Sequence, residues 1–390
     1  MIYFSIPLVL LITLYVLTLF VLRKGLLNLK YGINKQQPKV SVIIAARNEE
    51  RHIHKCLMAI LSQSYPKTKF EIIVIDDRSE DQTAEIVKNL TVNHRQISLF
   101  RIKDGSPYLA PKKRAIDLGI RHATGEIIVT TDADCQPGPN WLMELMKYFD
   151  AEVGVVAGFN PYSIENSSAP LFHQILALDY FAMACVAAAS AGLGYPTSCS
   201  GGNLAYRKQV YLQIGGFHHI GNWISGDDDF FLEQVRENTN WKIHYAVSPK
   251  AFVPTEPPEN LRALVHQRIR YASKCRHYKA PLTLGLVGVY LLNFLLLVGL
   301  FVVPFMPKLF PIWLFGFLTK TVVEYTFLTR GKKIIQMQFK PVVFFLTALL
   351  HPFYIVVAGF LGQFVTFKWK GKRYSAKING QCPHPVRQSQ

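Results

Sequence analysis

The chain has 390 residues, half of them apolar, and a formal net charge of +17. That length holds one large domain with membrane segments, or two domains. The charge invites a nucleic-acid reading, but its placement excludes one. Arg23, Lys24, Lys30 and Lys35 follow the first apolar run, Arg330, Lys332, Lys333 and Lys340 lie between two later ones, and Lys368, Lys370, Lys372, Arg373, Lys377 and Arg387 occupy a basic tail, 368–390. Basic residues beside apolar segments mark cytoplasmic loops, whereas residues 39–280 are nearly neutral.

Ile2 to Leu22 carries no charge and is long enough to cross a bilayer, which takes about 20 residues. Positive residues follow it, and no small-x-small site closes it. Residues 1–24 therefore read as a membrane anchor and not as a cleaved leader. From residue 39 strands and helices alternate. Lys39 to Ala46 is a strand. Asn48 is expected to cap the next helix, with Glu49 and Glu50 in its first turn. Glu71 to Ile75 is the second strand, and Ser79 with Gln82 has the spacing of a capping box. Ile97 to Ile102 is a third strand, Lys112 to Ala123 a helix and Glu126 to Thr131 a fourth strand. Pro139 opens a helix through Phe149. The alternation predicts an α/β, doubly wound, mostly parallel sheet. Such sheets bind ligands at the carboxyl ends of their strands, where Ala46-Arg47, Asp76-Asp77 and Asp132-Ala133-Asp134 all fall.

Residues 159–280 are less regular. Phe172 to Gly194 is expected to be a helix packed under the sheet domain or lying at the membrane interface, not another span. Pro281 to Pro307 and Pro341 to Phe367 are apolar spans. Leu309 to Thr329 is apolar except for Lys320 and Glu324, which stand four apart and can pair. Residues 281–367 thus hold two or three spans. With residues 39–280 in the cytoplasm, three spans would put the basic tail outside, against its charge. One segment, Leu309–Thr329 or the one interrupted at Pro352, is expected to be re-entrant or interfacial. The six cysteines show no paired spacing and read as free thiols in a reducing compartment, with no zinc site.

Asp132 and Asp134 stand one residue apart after a buried strand, a placement suited to Mg²⁺ or Mn²⁺ on a diphosphate. Lys112 begins a helix, where an ammonium and backbone N–H groups suit an anion. Asp227-Asp228-Asp229 follow Gly226 and precede an apolar helix. Gly201-Gly202-Asn203 would let a backbone approach a sugar closely. In Gln267-Arg268-Ile269-Arg270-Tyr271 an arginine can grip a diphosphate and an aromatic face can stack on a sugar.

In that order these motifs resemble glycosyltransferase family 2, closest to the membrane-embedded branch that includes cellulose, chitin and hyaluronan synthases. The resemblance covers residues 40 to about 280 and implies a GT-A domain over 39–280 that transfers a sugar with inversion from a nucleotide-sugar donor. It places Ala45, Arg47 and Glu49 at the nucleoside pocket, Asp77 on the base and Lys112 on the donor. Asp132 lies nearer the ribose or the metal, and Asp134 is the direct metal ligand. Asp228 matches the general base, with Asp229 the alternative register. Gly202, Asn203, Asp227, Gln267, Arg268, Arg270 and Tyr271 face acceptor or diphosphate. Tyr271 stands where the family has Trp, which weakens the case for polymerisation. The implied partners are a UDP-sugar, a lipid or glycan acceptor and the bilayer of the cell membrane, with no nucleic acid. The rival readings are a nucleotidyltransferase, which Asp228 and the Gln-x-x-Arg-aromatic motif speak against, and an inactive membrane scaffold or transport subunit.

Overall fold

The computed structural model describes residues 2–104, 109–163, 169–369 and 372–374. The basic tail beyond 374, with Cys382, lies outside the described residues. The chain forms two compact units. One holds the sheet. The other holds the long apolar helices.

In chain order the elements are α1 (Ile2–Asn28), β1 (Val40–Ala46), α2 (Ile53–Leu61), β2 (Phe70–Asp77), α3 (Thr83–Asn93), β3 (Ile97–Ile102), α4 (Pro111–His122), β4 (Ile127–Asp132), α5 (Trp141–Met146), β5 (Val153–Ala157), α6 (Leu171–Gly192), β6 (Leu204–Arg207), α7 (Lys208–Gln213), α8 (Asp229–Asn238) and β7 (Lys242–Tyr245). Then come α9 (Leu261–Ser273), α10 (Ala280–Val302), α11 (Phe310–Ile335), α12 (Pro341–Phe364) and the hairpin β8 (Phe367–Trp369) and β9 (Lys372–Tyr374).

The sheet has seven strands in the order β3-β2-β1-β4-β6-β5-β7. It is parallel except at β6, which runs against both neighbours. β1, β2 and β4 are near-continuous apolar runs because helices cover both faces. Their register aligns Ala45 with Ile75 on one side and with Asp132 on the other, so the strand ends form one edge. The core beneath it packs Ile53, Leu57 and Ile60 of α2 and Trp141, Leu142 and Leu145 of α5 against the strands.

Two expected caps do not form. α2 starts at Ile53 with no side-chain cap. Asn48 instead adopts a left-handed φ of 53°, and its Oδ1 accepts from Glu80 N at 2.9 Å. Ser79 Oγ accepts from Asn48 N at 3.0 Å, not from its own helix. Glu49 N donates to Thr83 Oγ1 at 2.8 Å. These residues bind the loop after β1 to the loop after β2, because polar side chains bond whichever backbone group is nearest.

Among the described residues, α1, α6, α10 and α12 are long and apolar enough to cross a membrane. α6 differs from the rest: 56% of its apolar window is buried, against 17–22% for the others. Its ends also lead to β5 and β6, which are hydrogen-bonded neighbours. α6 and α9 cluster with the apolar helices and not with the sheet.

α11 is one continuous helix through Lys320 and Glu324. Lys320 is 1% exposed and pairs with Glu324 at 2.9 Å. Tyr15 of α1 donates to Glu324 at 2.5 Å, and His351 Nδ1 of α12 lies 3.1 Å from Lys320 Nζ. α10 and α11 form a hairpin, with Trp313 Nε1 donating to Leu296 O at 2.8 Å. α12 starts five residues after α11 ends. Its last turn returns to α9, where Gln363 Nε2 donates to Ala272 O at 2.8 Å and the buried Phe367 of β8 packs. α9 is the element that leads into α10.

Candidate active site

The carboxyl edge of the sheet gathers three of the expected carboxylates, Asp132, Asp227 and Asp228, around Lys112. Lys112 Nζ lies 2.8 Å from Asp132 Oδ1 and 3.0 Å from Asp227 Oδ2. Burial opposes the charge on this ammonium, but Asp132 and Asp227 outweigh burial and hold its pKa well above the usual lysine value. Asp228 caps α8 by accepting from Asp229 N at 2.8 Å, and its Oδ2 accepts from Gly201 N at 3.3 Å. Asp228 is half-buried, whereas Asp229 is buried. Asp229 Oδ1 accepts from Ser198 Oγ at 3.2 Å and Cys199 N at 3.1 Å, which ties down the loop before the glycines.

The glycines back directly onto this cluster. A Cβ at Gly201 would meet Asp227 Oδ2 at 2.8 Å, and one at Gly202 would meet Asp132 Oδ2 at 2.9 Å. The neighbouring Asn203 is not in the cleft. It is fully buried, its Oδ1 accepts from Trp141 Nε1 at 3.0 Å, and its Nδ2 donates to Phe159 O and Ala251 O. It is a strut under the loop.

The run Lys112-Lys113-Arg114 splits three ways. Lys113 is buried, and its Nζ donates to Trp223 O at 2.6 Å and Ser225 O at 2.8 Å, fixing the loop that carries the three aspartates. Its spacing with Ile116 and Ile120, i, i+3 and i+7, marks the buried stripe. Arg114 Nη2 reaches Asp77 Oδ1 at 2.6 Å, and Arg78 Nε reaches the same oxygen at 3.0 Å. Arg78 has a φ of 58°, a left-handed conformation that such a side chain rarely adopts away from functional sites. Asp76 is buried and pairs with Arg101 at 3.1 Å, a structural position. Ala45 lies near the end of β1 and Arg47 just beyond it, and Arg47 Nε is buried without a hydrogen-bond partner among the described residues.

Among the described residues, Asp132, Asp134 and Cys135 form a group whose ligand atoms lie within 4.8 Å of one another, close enough to hold a metal ion. Burial, then Asp132 and Asp134, push the Cys135 thiol up. The carboxylate oxygens of Asp132 and Asp134 are donors that suit Mg²⁺ or Mn²⁺. Cys56, Cys135, Cys185, Cys199 and Cys275 are free thiols.

Gln267, Arg268, Arg270 and Tyr271 lie on α9, in the other compact unit. Arg268 is buried and paired with Asp179 at 2.7 Å. The guanidinium of Arg270 lies 5.1 Å from the Tyr271 ring centre.

A mostly parallel sheet carrying an Asp-x-Asp pair, a lysine and an acidic helix cap at one edge is the architecture of a GT-A glycosyltransferase. Residues 41–215 match the family model Glycosyl transferase family 2. It is similar to the probable glycosyltransferase YdaM of Bacillus subtilis, 27% identical over 245 residues that cover 61% of this chain and 55% of that protein. It is also similar to the poly-beta-1,6-N-acetyl-D-glucosamine synthase of Staphylococcus aureus, 28% identical over 262 residues that cover 63% of this chain and 58% of that one. The chain thus spans little more than half the length of these relatives. The solved mannosyltransferase PcManGT from Pyrobaculum calidifontis, in complex with GDP-Man and Mn²⁺, shares the fold. Its TM-score is 0.57 at 20% identity, covering 92% of this chain and 98% of that one.

Proposed function

We propose that this chain is a membrane-held, metal-dependent, inverting glycosyltransferase. It moves a sugar from a UDP-sugar to a lipid, lipid-linked or polysaccharide acceptor on the cytoplasmic side of the cell membrane. The observation that carries this reading is the half-buried Asp228. Backbone N–H groups of Gly201 and Asp229 hold its carboxylate beside the Lys112–Asp132–Asp227 cluster. A fixed, single carboxylate fits a reaction that needs one base and no covalent intermediate.

In this reading Asp77, steadied by Arg114 and Arg78, accepts from the nucleobase, and Ala45, Arg47 and Glu49 line the nucleoside. Asp134 and Asp132 would hold the cation, which neutralises charge on the departing nucleoside diphosphate when bound. Lys112 supplies a permanent positive charge at the same place, and Asp227 keeps it there. Asp228 takes the proton of the acceptor hydroxyl as its oxygen bonds to the anomeric carbon and the bond to the diphosphate breaks. Gln267, Arg270 and Tyr271 form the acceptor-facing side of α9.

Membranes incubated with a panel of radiolabelled nucleotide sugars, with products sized, test this reading. The likeness to a poly-N-acetylglucosamine synthase makes activated N-acetylglucosamine the first sugar to try. Transfer should stop in EDTA and return with Mn²⁺ or Mg²⁺. Full turnover in chelator would remove the metal from the reading. Asp228→Asn should lower transfer about 10²–10⁴-fold with UDP binding little changed. Loss of transfer in Asp227→Asn or Asp229→Asn but not in Asp228→Asn would move the base.

A further inference from the structure

We infer that Asp179 is the positioning residue that aims the Gln267–Tyr271 motif. Asp179 is the only Asp, Glu, Lys or Arg on α6. A lone carboxylate on so apolar a helix is costly unless it is paired. Its partner is inside the motif. Arg268 Nη2 lies 2.7 Å from Asp179 Oδ2, with side chains 5% and 17% exposed. Arg268 Nη1 also lies 3.3 Å from Met183 Sδ, one turn further along α6. The same guanidinium sits 5.8 Å from the ring centres of Tyr271 and of Tyr354 on α12. Arg268 is therefore held by α6 on one side and by aromatic faces on the other.

Helix geometry turns this grip into aim. Gln267, Arg270 and Tyr271 stand at i, i+3 and i+4 and share one face of α9. Arg268 points about 100° away from Gln267 around the axis. It joins Leu264 and Ile269 on the buried side. A pair that fixes Arg268 fixes the rotation of α9, and so the direction of the other three side chains. Arg268 is then not a diphosphate ligand, although its place in the motif suggests one. Its guanidinium is the counter-ion of Asp179.

The inference rests on the transferase reading for its consequence and on the ion pair for its cause. The test has two arms, both on membranes holding the full chain. In the first, Asp179→Asn should lower product formation about 10²-fold, the cost of a misplacement on the order of 1 Å. UDP binding and hydrolysis of the sugar nucleotide should stay within a few-fold. Asp179→Glu should recover most of the product, and Asp179→Asn with Arg268→Gln together should be no worse than either alone. In the second arm, trypsin should cut within residues 262–276 at least about tenfold faster in Asp179→Asn, because opening exposes the helix. Product formation and cleavage both within twofold of the unaltered chain would overturn the inference. So would a loss of UDP binding in step with product, which marks a direct diphosphate role. If unaltered membranes transfer no sugar from any donor, the transferase reading fails. The cleavage arm then decides the ion pair alone: faster cutting supports it and unchanged cutting overturns it.

Discussion

Gly202→Ala is the most local probe of the site. The added methyl would sit 2.9 Å from Asp132 Oδ2 and 3.1 Å from Asn160 Nδ2. Asn160 is buried, with Nδ2 donating to Val253 O at 3.0 Å, so Asp132 is the group that moves. Moving it breaks the 2.8 Å pair with Lys112. Transfer should fall about 10²-fold, while the melting temperature of detergent-solubilised protein changes little. Unchanged transfer would show that Asp132 tolerates displacement. Asp229→Ala should do the reverse of Asp228→Asn. It leaves Ser198 Oγ and Cys199 N without their acceptor, a loss of about 1–3 kcal/mol in a buried place, read as a lower melting temperature. The acidic types at 132, 134 and 227–229 were legible because chemistry restricts them. Which aspartate of three points where was not, since that depends on the helix start at Asp229. Lys113 was not singled out, because nothing in a basic run shows that the carbonyls of Trp223 and Ser225 will close over one of its lysines.

At the scale of elements, the first four strands needed no tertiary information, whereas β5, β6 and β7 were not expected from the sequence. Ile97–Ile102 is the strand the sequence predicts, and the other early strands differ by a residue or two at their ends. Helix starts were less legible, because Asn48 and Ser79 spend their polar groups across the cleft on each other's loops. α11 was the hardest. Its two charges suggested a re-entrant or interfacial segment; Tyr15 and His351 close over the Lys320–Glu324 pair in a continuous helix, and α11 is not among the described helices long and apolar enough to cross a membrane. Those partners lie 309 and 31 residues away, beyond any local pattern. A prediction follows from the asymmetry between breaking and replacing a buried pair. Glu324→Leu leaves Lys320 charged and enclosed, at a cost of about 3–5 kcal/mol. Lys320→Met with Glu324→Leu removes both charges and should be near neutral. Yield and melting temperature of the purified protein should fall for the single variant and recover in the double. A double variant as unstable as the single would mean that Tyr15 and His351 need the charges themselves.

For the whole molecule the open quantity is which side each part faces. Arg23, Lys24, Lys30 and Lys35 follow α1 and favour a cytoplasmic sheet domain with Met1 outside. If α10 leads out and α11, which is not among the described helices long and apolar enough to cross, leads back, then Arg330, Lys332, Lys333 and Lys340 lie inside. The parity conflict falls on α12. It has 24 residues and the hydropathy of a span, about 36 Å of helix. Its contacts nevertheless bring Gln363 to Ala272 and bury Phe367 against α9, on the side from which α10 departs. We predict that α12 does not cross and that the tail is cytoplasmic, as its six basic residues favour. Three single cysteines in a cysteine-free background test this: Glu80→Cys, Lys308→Cys and Ser389→Cys. A membrane-impermeant thiol reagent applied to intact cells should label only Lys308→Cys, in the short turn between α10 and α11. Labelling of Ser389→Cys would make α12 a full span after all. Labelling of Glu80→Cys would put the donor site outside the cell, away from the cytosolic nucleotide sugars that the proposed reaction needs.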